Sequence, residues 1–145
     1  MGEVTGVPPQ YTQNGRQTSV SVEVRIPADL SQLFVLRSIA ATLALREDFD
    51  LDEVEDVKLA VDELCSVLVV RARLGELLTC QFEAAPRSVG VLASVGSDNE
   101  APIAQGTFGW RVLSALTDDL TTWITAGRQT PYRIHIRMAK TRSIV

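Results

Sequence analysis

The feature that most constrains this fold is a long amphipathic segment near the middle of the chain. Its apolar residues recur at steps of three and four, the spacing of one face of an α-helix: Val54, Val57, Ala60, Val61, Leu64 and Leu68. Asp50 and Glu53 precede this stripe with the spacing of a capping box, so we predict a helix that begins there and continues to about Arg73. A helix with one apolar face of that length needs a second layer to pack against.

The segments on both sides of this helix supply the second layer. A further helix is predicted from a cap at Asp29 or Ser31 to about Glu47, and a short one over residues 110–116. Alternation of apolar and polar residues predicts five strands: residues 20–26, 77–84, 88–95, 120–125 and 132–138. This order predicts an α+β fold, a two-layer sandwich in which a mixed or antiparallel sheet carries the helices on one face.

The chain is predicted to form one domain behind a short arm. Residues 1–17 have few apolar side chains and are expected to form a flexible N-terminal arm, with residues 18–145 as the folded domain. The start of the chain lacks the basic and apolar segments of a secretory signal, and no stretch is apolar enough for a membrane helix. We therefore expect a cytoplasmic protein with no membrane partner.

Charge is distributed unevenly along the chain. The net charge of −4 argues against direct binding to nucleic acid. Nine of the 18 acidic residues lie between Glu47 and Glu63, whereas none follows Arg128. Solvated surface of both signs explains this pattern; the alternative is an acidic face that docks a basic segment of a protein partner.

The sequence lacks the patterns of several common chemistries. It contains no G-x-x-x-x-G-K and no G-x-S-x-G pattern. His135 is its single histidine, and one histidine with two cysteines fifteen residues apart argues against a zinc site. A single histidine also cannot form a catalytic triad by itself. Cys65 and Cys80 are typical of small buried apolar positions. The alternative, a redox-active pair, requires Cα atoms within about 7 Å, which the sequence leaves open.

Residues 59–67 read Leu-Ala-Val-Asp-Glu-Leu-Cys-Ser-Val, and this stretch resembles the N-box of the GHKL ATPase superfamily, in its anti-sigma-factor serine-kinase branch. Arg37 on the preceding helix, residues 91–96 at the Asp-x-Gly box and residues 106–118 at the second glycine box support the resemblance. It covers about residues 18–139 and is greatest to actinobacterial anti-sigma factors of the sigma-F type. The implied fold is the HATPase-like, or Bergerat, fold.

The resemblance implies a kinase site whose N-box is altered. Glu63 stands where the family has the base that activates the attacking serine hydroxyl. Val67 stands where the family has an asparagine that ligates Mg²⁺, and an isopropyl group offers no oxygen to a hard cation. Phosphoryl transfer depends on that cation, so we expect catalysis to be weakened or lost.

The resemblance also implies altered contacts to ATP. Ser94, with Gly96 two residues later, stands where the family has the aspartate that accepts a hydrogen bond from adenine. Gly106, Thr107 and Gly109 stand at the Gly-x-Gly segment that frames the phosphates. A hydroxyl accepts a weaker hydrogen bond than a carboxylate does, so ATP and Mg²⁺ are expected to bind weakly or not at all.

The function that the resemblance implies is that of an anti-sigma factor. Such a protein, usually a homodimer, sequesters an alternative sigma factor of RNA polymerase until an anti-anti-sigma protein of the STAS fold releases it. We expect partner contacts at Arg37 and at the apolar residues Phe34 and Phe49. Two alternatives stay open: an active serine/threonine kinase that phosphorylates its antagonist, and a non-catalytic dimerisation or sensor module.

Overall fold

The computed structural model describes residues 19–143, in which five strands and three α-helices follow one another. The elements are β1 Val20–Pro27, a 3-10 turn Leu30–Gln32, α1 Leu33–Arg46, α2 Leu51–Arg71, β2 Leu77–Ala85, β3 Ser88–Ser97, α3 Phe108–Leu116, β4 Asp119–Ala126 and β5 Tyr132–Thr141. Their order and type agree with the sequence-based prediction. The predicted arm, residues 1–17, lies outside the described residues.

The strands form one antiparallel sheet in the order β1-β2-β3-β5-β4. The predicted hairpin of β2 and β3 is present, and Arg87 in its turn adopts a positive φ of 64°. In the register of the sheet, Cys80 of β2 lies opposite Val24 of β1 and Ala93 of β3. The antiparallel form of the predicted two-layer α+β sandwich is confirmed.

The helices cover one side of the sheet, which we call its inner face. Alternate strand residues point to this face and pack with the helices in the core, among them Leu78, Phe82 and Ile136. α2 lies at the centre of the helical layer, where the fully buried Val61 and Leu64 belong to the stripe seen in the sequence. The opposite side, the outer face, carries the residues between them in each strand, and no helix of the described residues packs on it.

The long helix begins as its sequence predicts. Asp50 Oδ1 accepts a hydrogen bond from Glu53 N at 2.8 Å, and Asp50 N donates to Glu53 Oε1 at 3.2 Å, which is the complete capping box. The helix ends at Arg71, two residues before the predicted end, ahead of a turn in which Gly75 has φ 86°. No helix in residues 19–143 has the length and apolar character needed to cross a membrane.

Candidate functional site

The Glu63 carboxylate lies against the first turn of α3. Gly109 is the second residue of that helix, and a Cβ placed on it would lie 2.8 Å from Glu63 Oε2. Thr107 caps the helix, because its hydroxyl accepts a hydrogen bond from Trp110 N at 3.2 Å. Negative charge at a helix N-terminus is stabilising. Three of the predicted site residues thus meet in an arrangement that stabilises the start of α3.

Ser94 lies on the other side of the sheet. Its neighbours Ala93 and Val95 are buried in the core, so the alternation of β3 turns Ser94 to the outer face. There its hydroxyl accepts a hydrogen bond from Arg133 Nε at 3.0 Å, beside a cavity of about 790 Å³. The structure therefore does not bring Ser94 together with Glu63, because the sheet separates the two side chains.

Ser97 is the polar residue that the sequence analysis missed at this end of β3. It lies two residues beyond Val95 in the strand alternation and is fully buried. Its hydroxyl accepts a hydrogen bond from Asn99 N at 3.0 Å, which fixes the start of the loop that follows. The period of two in β3, continued past Val95, is the signal that would have found it.

The loop between β3 and α3, residues 98–107, is tied to the end of α2. Arg71 Nη2 donates hydrogen bonds to the carbonyl oxygens of Asn99 and Ala101, the former at 3.3 Å. Arg73 pairs with Asp98, with 2.6 Å between Nη2 and Oδ1. Ile103 is buried in the core. The loop is thus held at both its charged start and its apolar middle.

The glycines of this region serve packing and turns. A Cβ on Gly96 would overlap Glu76 Oε1 and lie 2.6 Å from Thr130 Oγ1, so close approach of the neighbouring turn requires glycine there. A Cβ on Gly106 would meet no atom within 4 Å. Phe108, the first residue of α3, is 81% exposed.

The residues at these positions do not fit ATP and Mg²⁺ in the arrangement that the resemblance implies. Val67 packs its hydrocarbon side chain against the core and offers no oxygen ligand. The Thr107 hydroxyl is the cap of α3, and the Glu63 carboxylate occupies the space over Gly109. Within residues 19–143, no group of three or more His, Cys, Asp or Glu side chains is placed to hold a metal ion.

The predicted partner residues have different environments. Phe34 is 56% exposed on α1, and Arg37 one turn later pairs with Asp62 of α2, with 2.5 Å between Nη1 and Oδ1. Phe49 is only 4% exposed and belongs to the core. The structure does not place Phe49 on the surface, because the turn at Asp48, with φ 63°, folds Phe49 back under α1, where its N–H donates to Ala44 O at 3.0 Å.

His135 has a structural environment on the outer face. Its ring stacks on Trp123 with 5.1 Å between centroids and 3° between planes, and Nε2 is 2.8 Å from Thr125 Oγ1. Burial and the positive charge of Arg133 lower the pKa of His135. The neutral ring is therefore favoured, as expected for a packing residue.

The fold and this set of contacts define the class of protein: a two-layer α+β domain in which Glu63 of α2 contacts the first turn of α3. Two proteins are similar in sequence to this chain, both named anti-sigma-F factor RsbW, from the CDC 1551 / Oshkosh and ATCC 25618 / H37Rv strains of Mycobacterium tuberculosis. Each is 38% identical to this chain over 110 residues. The chain is therefore a relative of the anti-sigma-F factors, which confirms that resemblance.

The extent of this similarity is limited. The aligned stretch is 75% of this chain and 66% of each relative, so it spans just under two thirds of their length. No family model matches the chain. Membership of the wider GHKL superfamily therefore stays a prediction.

Proposed function

We propose that this protein is an anti-sigma factor that binds an alternative sigma factor and withholds it from RNA polymerase. The observation that carries the proposal is the 38% identity to two proteins named anti-sigma-F factor, over 75% of the chain. The altered site also supports the proposal. Val67 offers no metal ligand and Glu63 packs against α3, so these positions favour a protein-binding domain over one that transfers phosphate.

The outer side of α1 is the surface we assign to the sigma factor. Phe34 and Leu45 lie eleven residues apart on one side of this helix, and Leu30 precedes it by one turn; all three are more than half exposed. Large apolar side chains grouped in this way are typical of protein interfaces. Asp50 and Asp52 are exposed beside the end of α1, so a basic segment of the partner would complement this surface.

Titration calorimetry against the purified alternative sigma factors of the source organism tests this proposal. We expect one of them to bind, and Phe34→Ala to weaken the complex at least tenfold, the usual cost of losing an aromatic anchor being about 2 kcal/mol or more. Phe108→Ala is the matched control, since Phe108 is exposed on α3, which packs on α2 rather than on α1, and its loss should leave affinity unchanged. Absence of binding to every sigma factor would refute the function; equal effects of the two variants would refute only the surface.

Release by an anti-anti-sigma protein of the STAS fold is the second part of the proposal. A STAS protein that competes for the same chain should displace the sigma factor in a concentration-dependent manner. Size-exclusion chromatography of the three proteins measures this directly. A stable ternary complex with no displacement would contradict it.

We further propose that the chain acts in the cytoplasm as a homodimer that uses the outer face of the sheet. This face is free of helices among the described residues and carries the partly exposed Trp123 and Arg133. Sedimentation velocity of the wild type and of Trp123→Asp tests the dimer, with a shift to monomer expected for the variant. A wild-type chain that sediments as a monomer at all concentrations would exclude it.

The kinase alternative is not favoured, because the side chains do not fit the nucleotide and the metal. Calorimetry with ATP, with and without Mg²⁺, and transfer of labelled phosphate to the STAS partner distinguish the two functions. Efficient Mg²⁺-dependent transfer would favour the kinase. Sigma-factor binding that needs no nucleotide would support the anti-sigma function alone.

A further inference from the structure

The two cysteines of the chain meet in the core between the two layers. Cys65 lies on the inner side of α2 and Cys80 on the inner face of β2, and their Sγ atoms are 3.9 Å apart. Both side chains are fully buried and both thiols are free. The pair was left open by the sequence, because fifteen residues and a turn separate the two positions.

We propose that Cys65 and Cys80 form a site of reversible covalent modification, at which a peroxide produces an intramolecular disulfide that fastens α2 to β2. A disulfide has an S–S length of about 2 Å, so the sulfurs need to approach by about 2 Å more. The two sulfurs are already close to van der Waals contact, and the remaining approach requires rotation of the two side chains together with a small shift of α2 toward β2. The inference is independent of the sigma-factor function.

The local packing favours movement of Cys65 rather than of Cys80. β2 is hydrogen-bonded on both sides, to β1 and to β3, which fixes the backbone of Cys80. Its register neighbours are Val24 and Ala93. α2 contacts the sheet through side-chain packing, and its ends are also hydrogen-bonded, Arg71 to the loop after β3 and Glu53 Oε2 to Ser143 N at 2.7 Å. Packing in the middle of the helix, where Cys65 lies, adjusts more easily than a hydrogen-bonded ladder.

The chemistry balances with hydrogen peroxide as the oxidant. One cysteine loses its proton, and its thiolate attacks a peroxide oxygen; the O–O bond breaks, giving a sulfenic acid and, with the released proton, one water. The second sulfur then attacks the sulfenic sulfur, the S–O bond breaks, and the oxygen leaves with the thiol proton as a second water. Two thiols are oxidised to one disulfide, and one peroxide is reduced.

Burial makes this a gated reaction. The hydrogen bond to Cys80 and burial both raise the pKa of the Cys65 thiol well above its usual range, so the reactive thiolate is scarce in the closed fold. The oxidant reaches the sulfurs only when α2 opens away from β2. Once one sulfur is oxidised and the layers close again, the other is its nearest nucleophile, which favours the disulfide over further oxidation.

Intact mass measurement after peroxide treatment tests the proposal. We expect the loss of two hydrogens per chain, protection of both cysteines from iodoacetamide after unfolding, and full reversal by dithiothreitol. Concentrations of urea below the unfolding transition should speed the reaction. Cys65→Ser and Cys80→Ser are the matched controls, and neither should form the intramolecular product.

Three outcomes would overturn the proposal. They are two alkylated thiols in the peroxide-treated wild type, a disulfide only between chains, and sulfinic acid as the main product. A second measurement needs no oxidant and no variant: phenylarsine oxide, which bridges paired thiols, should bind wild-type protein in mild urea with a stoichiometry of one per chain. Failure of that arsenical to bind would show that the two sulfurs cannot act together.

Discussion

The contact between Glu63 and α3 gives a prediction that separates a structural role from a catalytic one. Glu63→Gln removes the negative charge at the N-terminus of α3 but keeps the size of the side chain. A charge in this position contributes about 0.3–1 kcal/mol to stability. We therefore expect the free energy of unfolding to fall by about that amount in urea titrations at low ionic strength, and by less in high salt.

Gly109→Ala provides the internal test of this reasoning. The new Cβ would lie 2.8 Å from Glu63 Oε2, whereas carbon and oxygen atoms in contact need roughly 3.5 Å, so the carboxylate must turn away. The flexible end of Glu63 makes this movement easy, and alanine favours the helix by up to about 1 kcal/mol over glycine. The single variant should thus be close to neutral, and Glu63→Gln should lose its effect in the Gly109→Ala background.

A double-mutant cycle measures this coupling. The control is Glu83→Gln, which removes an exposed carboxylate on the outer face of β2 and should have the same small effect in both backgrounds. Equal losses from Glu63→Gln with and without Gly109→Ala would refute the argument. Unchanged sigma-factor affinity in Glu63→Gln would show that sigma-factor binding does not need the charge of Glu63.

Three further predictions concern stability, and each is measured by urea unfolding. Leu64→Ala should cost about 2–5 kcal/mol because Leu64 is fully buried, whereas Leu59→Ala on the exposed side of α2 should cost far less; similar losses would contradict this packing. Asp50→Ala should cost about 1 kcal/mol through loss of the capping box, and Asp50→Asn should retain most of it. Burial lowers the pKa of His135 below its ordinary 6.5, so the unfolded chain binds the proton more readily, and stability should fall as the pH drops through that value; the same slope in His135→Gln would contradict the assignment.

The secondary structure was predictable because local periods and caps agree with the final fold. The stripe of α2 and its capping box need only residues close in sequence, and both are present as predicted. The hairpin around Pro86 and Arg87 joins strands whose alternation already shows which side is apolar. In each of these cases the local preference and the tertiary packing favour the same structure.

The residues whose environment the sequence did not predict are those whose position depends on how helices and strands pack together. Ser94 was assigned by its place in a motif, but a shift of one residue along a strand reverses the side on which a residue lies. Phe49 was expected to contact a partner, yet the left-handed backbone at Asp48 turns it into the core. The 3.9 Å approach of Cys65 to Cys80 arises from packing α2 on the sheet.

The ion pair of Arg37 with Asp62 has a consequence for any partner that approaches α1. A partner carboxylate that takes the place of Asp62 at Arg37 exchanges one contact between opposite charges for another. Such an exchange leaves the number of neutralised charges unchanged, and it therefore adds little affinity and little salt dependence. The exchange contributes to selectivity instead. A partner that also offers a cation to the released Asp62 pairs both charges, whereas a purely acidic surface leaves Asp62 without an ion-pair partner.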